Sequence, residues 1–138
     1  MLKTKLLHPE ILQVLGSNGH GARILISDGN FPATTCTPAS AKKVFLNFSQ
    51  NLLSVVDVLK VLVEFIPVEK ALVMLPADDT VPPIYAEFEA ILGKDLPLSK
   101  LKRFEFYDEA KSSDTCLVIA TGETRRFSNI LLTIGAVK

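Results

Sequence analysis

Two histidines occur in the 138-residue chain, and one of them, His20, stands between Gly19 and Gly21 in the stretch GSNGHGARILISDGNFP, Gly16 to Pro32. Asp28 follows just past a short apolar run. A histidine on bare backbone has no apolar face to pack against, so it is either a turn residue or a group that must be reachable. Imidazole ordinarily titrates near pH 6.5 and can take or give a proton at neutrality, and a carboxylate adds an acceptor. The pair therefore suits acid/base or binding chemistry. Asp28 before Gly29 is also strong turn chemistry, and composition leaves turn and site both open.

Other chemistries fit less well. A phosphate cradle follows a strand and opens a helix, with helix N–H groups facing the anion. Gly16, Gly19 and Gly21 follow a helical pattern and precede a strand, the opposite polarity. Zinc wants three or four His, Cys or carboxylate ligands, and His8 reads as a polar lead-in to a helix, so no metal site is expected. A Ser-His-Asp hydrolase would need a G-x-S-x-G elbow, which TGETRRFSN does not supply. Cys36 and Cys116 form no C-x-x-C pattern and read as small buried hydrophobes.

Fifteen basic and fifteen acidic side chains cancel, and no Lys/Arg run is longer than two. That removes the basic footprint of nucleic-acid binding. The opening MLKTKLLHPE lacks a signal peptide's apolar core. The longest apolar stretch, LLSVVDVLKVLVEFIP, is interrupted by Asp57, Lys60 and Glu64 on one helical stripe, and is short of the roughly 20 residues of a membrane span. A soluble cytoplasmic protein, with no membrane partner, is expected.

The elements that must position His20 and Asp28 alternate between helix and strand. Pro9 opens a helix through about Leu15, terminated by Gly16 to Gly19. RILIS (Arg23 to Ser27) reads as a buried strand, and a second strand falls near Lys43 to Phe48. Helix is expected from about Asn51 to Phe65, then strand at Lys70 to Pro76. After a proline-rich loop, IYAEFEAIL is helical up to Gly93. LKRFEF alternates like a strand, YDEAK allows a helical turn or two, and TCLVIAT and NILLTI are strands. The pattern predicts a single α/β domain over residues 1–138, its sheet largely parallel or mixed, with helices on both faces. Asp28 and Thr121-Gly122-Glu123 then lie at carboxyl ends of strands, where such sheets build sites.

His20, however, precedes its strand while Asp28 follows it. Eight extended residues reach roughly 26 Å, too far for one small site. Either the GHG loop folds back along the strand, or the two residues serve sites on different subunits.

GHGARILISDGNFP, RFEFYDEAK and ATGETRRFSNILLTIGAV, in that order, together resemble the fucose mutarotase and ribose pyranase family (RbsD/FucU), from the PEIL opening to the C-terminus. Arg103 in RFEFY and the TGE…NILL ending are closer to the fucose branch. The resemblance implies an RbsD-like α/β fold assembled in rings, commonly decamers of two pentamers, with sites at subunit contacts. It also implies interconversion of anomers or ring forms of a free monosaccharide, L-fucose or similar, with D-ribose second and without a cofactor. By the same resemblance His20 is the catalytic histidine, Asp28 the sugar-binding aspartate, Arg103 the binding arginine and Asn129 the asparagine of the C-terminal motif.

Two departures stand out. The motif usually reads Tyr-x-Asn, and here it is FSN. Phe127 can stack on a sugar face but cannot exchange a proton, which leaves open a non-catalytic sugar-binding or assembly protein on the same scaffold. Tyr107, which otherwise reads as a packed aromatic, and Ser128, a poorer acid, are the available hydroxyls. The second departure is KKVFLNFSQNLL, where the family more often has a short A-D-G turn. It bears on the pocket rim or a subunit contact.

Overall fold

The computed structural model describes residues 1–138. Its strands are β1 (Arg23–Ser27), β2 (Lys42–Phe45), β3 (Val68–Leu75), β4 (Leu98–Lys102), β5 (Thr115–Ala120) and β6 (Ile130–Ile134). Its helices are α1 (Pro9–Ser17), α2 (Val55–Leu62), α3 (Ile84–Leu92) and α4 (Arg103–Ala110). All six strands join one sheet in the order β2-β5-β1-β6-β3-β4. β5 runs parallel to both β1 and β2, and β4 parallel to β3. β6 is antiparallel to both its neighbours, β1 and β3. The sheet is thus mixed: two parallel ribbons held together by one antiparallel strand.

The apolar runs explain this arrangement. Strands covered on both faces need no polar alternation, and β6 is buried along its whole length. Within β1, Ile24 and Ile26 enter one core while Leu25 enters the other. The first core lies under α1, α2 and α3; the second lies under α4 and the segment that carries Phe31, Ala33 and Ala41. His8 caps α1, its Nδ1 accepting from the Ile11 N–H at 3.4 Å. No helix is long and apolar enough to cross a membrane. Cys36 and Cys116 are unpaired and half-buried rather than fully buried.

Two elements differ from the reading of the sequence. Helix α2 starts at Val55, not Asn51, because Ser54 and Asp57 form a reciprocal cap. Ser54 Oγ accepts from the Asp57 N–H at 3.1 Å, and Asp57 Oδ2 accepts from the Ser54 N–H at 3.0 Å. Residues 49–53 instead lie across Gly122, whose N–H donates to the Leu53 carbonyl at 2.9 Å and whose carbonyl accepts from Asn51 N–H at 2.5 Å. A Cβ on Gly122 would collide with the Ser49 carbonyl oxygen, so only glycine permits this approach.

The second difference is LKRFEF. The strand ends at Lys102, and Arg103 opens α4. Phe106 and Ala110, four residues apart, are both fully buried on one helix face. Glu105 Oε1 accepts from the Lys102 N–H at 3.2 Å, closing the first turn. Smaller shifts are that α1 runs through Gly16 to Ser17 and that β2 stops at Phe45 rather than Phe48.

Candidate active site

The carboxyl ends of β1 and β3, the start of α4 and the turn before β6 converge on a cleft of about 150 Å³. Asp28, Arg103, Phe127 and Asn129 all line it, though 101 positions separate the first from the last. Asn30, Phe31, Met74, Tyr107 and Arg126 complete the wall. The carboxyl end of β3 and the Asn30-Phe31 turn carry no signal in sequence that marks them as site.

Asp28 organises one side. It is only 3% exposed. Its Oδ1 accepts from the backbone N–H groups of Asn30 and Phe31, both at 3.0 Å. Its Oδ2 accepts from Ser128 N–H and Asn129 Nδ2, both at 3.2 Å. Asn129 Oδ1 in return accepts from the Asp28 N–H at 2.8 Å. Asp28 is thus a turn former that also lines the cleft. Burial pushes its carboxyl above the usual carboxylate range, against the hydrogen bonds that favour the charge.

The same bonds hold the turn that contains Phe127 at a φ of 59°, in the left-handed region. A bulky residue there is strained by roughly 1–3 kcal/mol, and such strain persists only where the surroundings over-determine it. Phe127 is half-buried at the cleft wall, whereas Ser128 is fully buried and does not line the cleft.

Asp28→Asn is expected to destabilise the fold by about 1–3 kcal/mol, since either amide orientation turns an NH₂ toward two donors. Urea denaturation at pH 7 measures this. The carboxyl is raised in the folded state, so the neutral acid forms first in the native protein as pH falls from neutrality. Proton uptake by the native state stabilises wild type and not the variant, so the gap between them should widen on acidification through the carboxylate range.

On the opposite wall, α4 presents Arg103 and Tyr107 one turn apart. Arg103 Nε donates to the Tyr107 hydroxyl at 3.1 Å, and its guanidinium carbon lies 5.4 Å from the centres of the Phe104 and Tyr107 rings. Tyr107 stands edge-on to Phe31 at 5.4 Å. It is thus a packed aromatic that also lines the cleft. Behind the cleft, the buried Tyr85 hydroxyl donates to the Met74 carbonyl at 2.5 Å and anchors the end of β3.

Thr121, Gly122 and Glu123 do not line this cleft. They brace it, with the Glu123 carbonyl accepting from Gly29 N–H at 2.8 Å and Thr121 Oγ1 donating to the Ser27 carbonyl at 2.8 Å. Burial alone would push the Glu123 carboxyl up; the Arg125 guanidinium, bonded at 3.0 Å, outweighs it and holds the group below the usual range. Together with Asn47, Ser49 and Gln50 of the departing segment, they line a second, wholly polar hollow that meets the cleft at Asn30.

His20 is elsewhere. Its loop is tied to the start of β1 and the end of β6: Gly21 N–H donates to the Ile134 carbonyl at 2.9 Å, and Ala22 N–H to Gly19 at 3.2 Å. The loop does not fold back along β1. The imidazole lies at the opposite end of the sheet from Asp28, 61% exposed, with Nε2 2.8 Å from Glu69 Oε2. Within one chain, the histidine and the cleft do not meet.

The sequence profile of the RbsD / FucU transport protein family matches residues 1–137. The chain belongs to that family. Human fucose mutarotase is 34% identical over 141 residues, spanning 96% of this chain and 90% of that protein. RbsD of Bacillus subtilis, solved with D-ribose, superposes with a TM-score of 0.83 at 27% identity over 100% of both chains. Fucose mutarotase of Streptococcus pneumoniae, solved with L-fucose, gives 0.84 at 24% identity over 99% of this chain and 100% of its own; that likeness concerns the fold alone.

Proposed function

We propose that this RbsD/FucU chain is a monosaccharide mutarotase, an isomerase that interconverts the anomers of a free sugar, with L-fucose or a similar sugar preferred and D-ribose second. The observation that carries the reading is the convergence of Asp28, Arg103, Phe127 and Asn129 on one small cleft. Its volume, about 150 Å³, is below the roughly 300–1,000 Å³ of pockets for drug-sized ligands and suits a single sugar ring. Carboxylate, guanidinium and amide match a ligand made of hydroxyls, and Phe127 and Tyr107 offer ring faces. Identity to human fucose mutarotase supports the choice of sugar, and RbsD with D-ribose supports the second.

The reaction needs two proton movements. A base takes the proton of the anomeric hydroxyl as the bond from C1 to the ring oxygen breaks, and an acid protonates that ring oxygen. The open-chain aldehyde then recloses on either face, and both protons return. His20 is the base in this proposal, delivered from a neighbouring copy, because its own cleft lies at the far end of the sheet. Tyr107 supplies the hydroxyl that Phe127 lacks. Assembly into rings, as pentamers or a decamer, would bring the two ends together. Phe45 on the edge strand β2 and Phe48 and Leu52 beyond it are large, exposed and apolar, as an assembly surface requires.

Phe127 favours the second reading, a sugar-binding protein on the same scaffold without the chemistry. NMR magnetisation transfer between anomers of L-fucose and of D-ribose decides between them. Wild type should accelerate exchange, Tyr107→Phe should lose most of it, and Phe127→Tyr should change it little. No acceleration by wild type together with a large gain in Phe127→Tyr would establish the binding-only reading.

A further inference from the structure

The segment between β2 and α2 forms a wall that the sugar cleft does not use. Gln50 and Asn51 make a tight turn between Ser49 and Leu52, with Asn51 at a φ of 63°, in the left-handed region that asparagine tolerates. Asn51 N–H donates to the Gly122 carbonyl at 2.5 Å, and its Oδ1 accepts from the Thr124 N–H and hydroxyl at 3.3 and 2.8 Å. These ties are made by backbone and by Asn51. Asn47, Ser49 and Gln50 are exposed on the same segment and make no side-chain hydrogen bond within the chain. All three line the polar hollow, whose volume is about 410 Å³.

The lining of that hollow includes no apolar side chain and no lysine, arginine or histidine. Its one carboxylate, Glu123, is buried and taken up by Arg125, whose backbone N–H, Nε and Nη2 donate to it at 3.1, 3.0 and 3.0 Å. An anion would find no free cation there, and an apolar ligand would find no surface to cover. Amides and hydroxyls remain, each able to donate and to accept, which is how neighbouring sugar hydroxyls are paired. The hollow adjoins the cleft, because Asn30 lines both. Beside Asn30, Gly29 N–H donates to the Glu123 carbonyl at 2.8 Å, and a Cβ on Gly29 would stand 3.2 Å from that oxygen. The turn at the junction is therefore drawn tight against the wall of the hollow.

We propose that the hollow is a subsite for a second sugar ring. The chain then accepts a reducing disaccharide, with the reducing ring in the cleft and the next ring against Asn47, Ser49 and Gln50. The inference rests on the mutarotase reading and widens its substrate class. The bond between the rings replaces a hydroxyl away from C1. C1 keeps its own hydroxyl, the ring opens and closes there by the same two proton movements, and the linkage stays intact. The second ring makes hydrogen bonds that a monosaccharide leaves unmade. Because the segment is already held in place, little ordering cost is charged against them.

The test compares L-fucose with L-fucose carrying a galactosyl ring on O3 or on O4, by NMR magnetisation transfer and by equilibrium titration. Wild type should exchange the anomers of at least one disaccharide with a kcat near that for L-fucose and a Kd at least about fivefold lower, the worth of one net hydrogen bond. The double variant Asn47→Ala/Gln50→Ala should abolish that difference and leave L-fucose exchange unchanged, since both side chains are exposed and hold nothing in the fold. Disaccharides bound no more tightly than L-fucose by wild type, or a gain that survives in the double variant, would overturn the proposal. Free galactose is the further arm, and it should leave the side-chain amide signals of Asn47 and Gln50 unmoved at concentrations where the disaccharide shifts them. Shifts by free galactose without a gain for the linked sugar would mean a separate monosaccharide site and would overturn the disaccharide assignment. A wild type that accelerates no sugar overturns the mutarotase reading instead, and the response of those amide signals to the disaccharides then still decides the subsite.

Discussion

His20→Ala should reduce anomer exchange to the background rate in water, a loss of about 10²–10⁴-fold, the usual worth of a positioned acid/base group. Sugar should still bind, because the cleft at Asp28 and Arg103 lies at the other end of the sheet and keeps every contact. Equilibrium titration followed by chemical-shift changes at the Tyr107 and Phe127 rings would check that half. Stability should hardly change, since the imidazole is exposed and its partner solvated. Loss of binding together with rate would mean that His20 holds the sugar rather than moving its protons.

Mixing should separate one-chain sites from shared ones. His20→Ala lacks the base but has an intact cleft; Arg103→Ala has the base but a weakened cleft. If each site draws His20 from one copy and its cleft from the next, the two variants unfolded and refolded together should recover about a quarter of wild-type activity, because random assembly pairs two intact halves in that proportion. The mixture should be assayed at low sugar concentration, where loss of Arg103 is felt most. Activity equal to the mean of the separate variants would place both residues in one chain's site. Such an outcome would require the GHG loop to leave the hydrogen bond between Gly21 and Ile134.

Much of this arrangement can be read in the sequence, and the exceptions share a cause. Strand β1 and helix α3 end where Asp28 and Gly93 say they should, since local turn chemistry decides them. LKRFEF is too short for its alternation to separate a strand from a helix. The deciding spacing, Phe106 to Ala110, starts at its last residue and runs past its end. Asn51 belongs to an apolar run that looks helical, yet tertiary contact with Gly122 holds residues 49–53 out of α2. Asp28, Arg103, Phe127 and Asn129 are visible as motif residues, and the fold brings them to one cleft. Glu69 is not visible. Its contact with His20 depends on one unpaired residue in a strand, and the pair Glu69-Lys70 at the head of an apolar run is the only trace of it.

Strand β6 lies at the middle of the sheet, and it is the last strand in the chain. Until residues 130–134 are present, β2-β5-β1 and β3-β4 are two separate ribbons with no hydrogen bonds between them. Each would have an unpaired edge. Asn129, the amide that closes the hydrogen-bond ring around Asp28, arrives at the same moment. The nascent chain therefore holds neither a closed sheet nor a cleft until its final strand emerges, and its folding is governed by contacts between distant residues, which form slowly. The five strands made earlier must wait for β6, and in that interval their exposed edges are the sheet's most vulnerable feature.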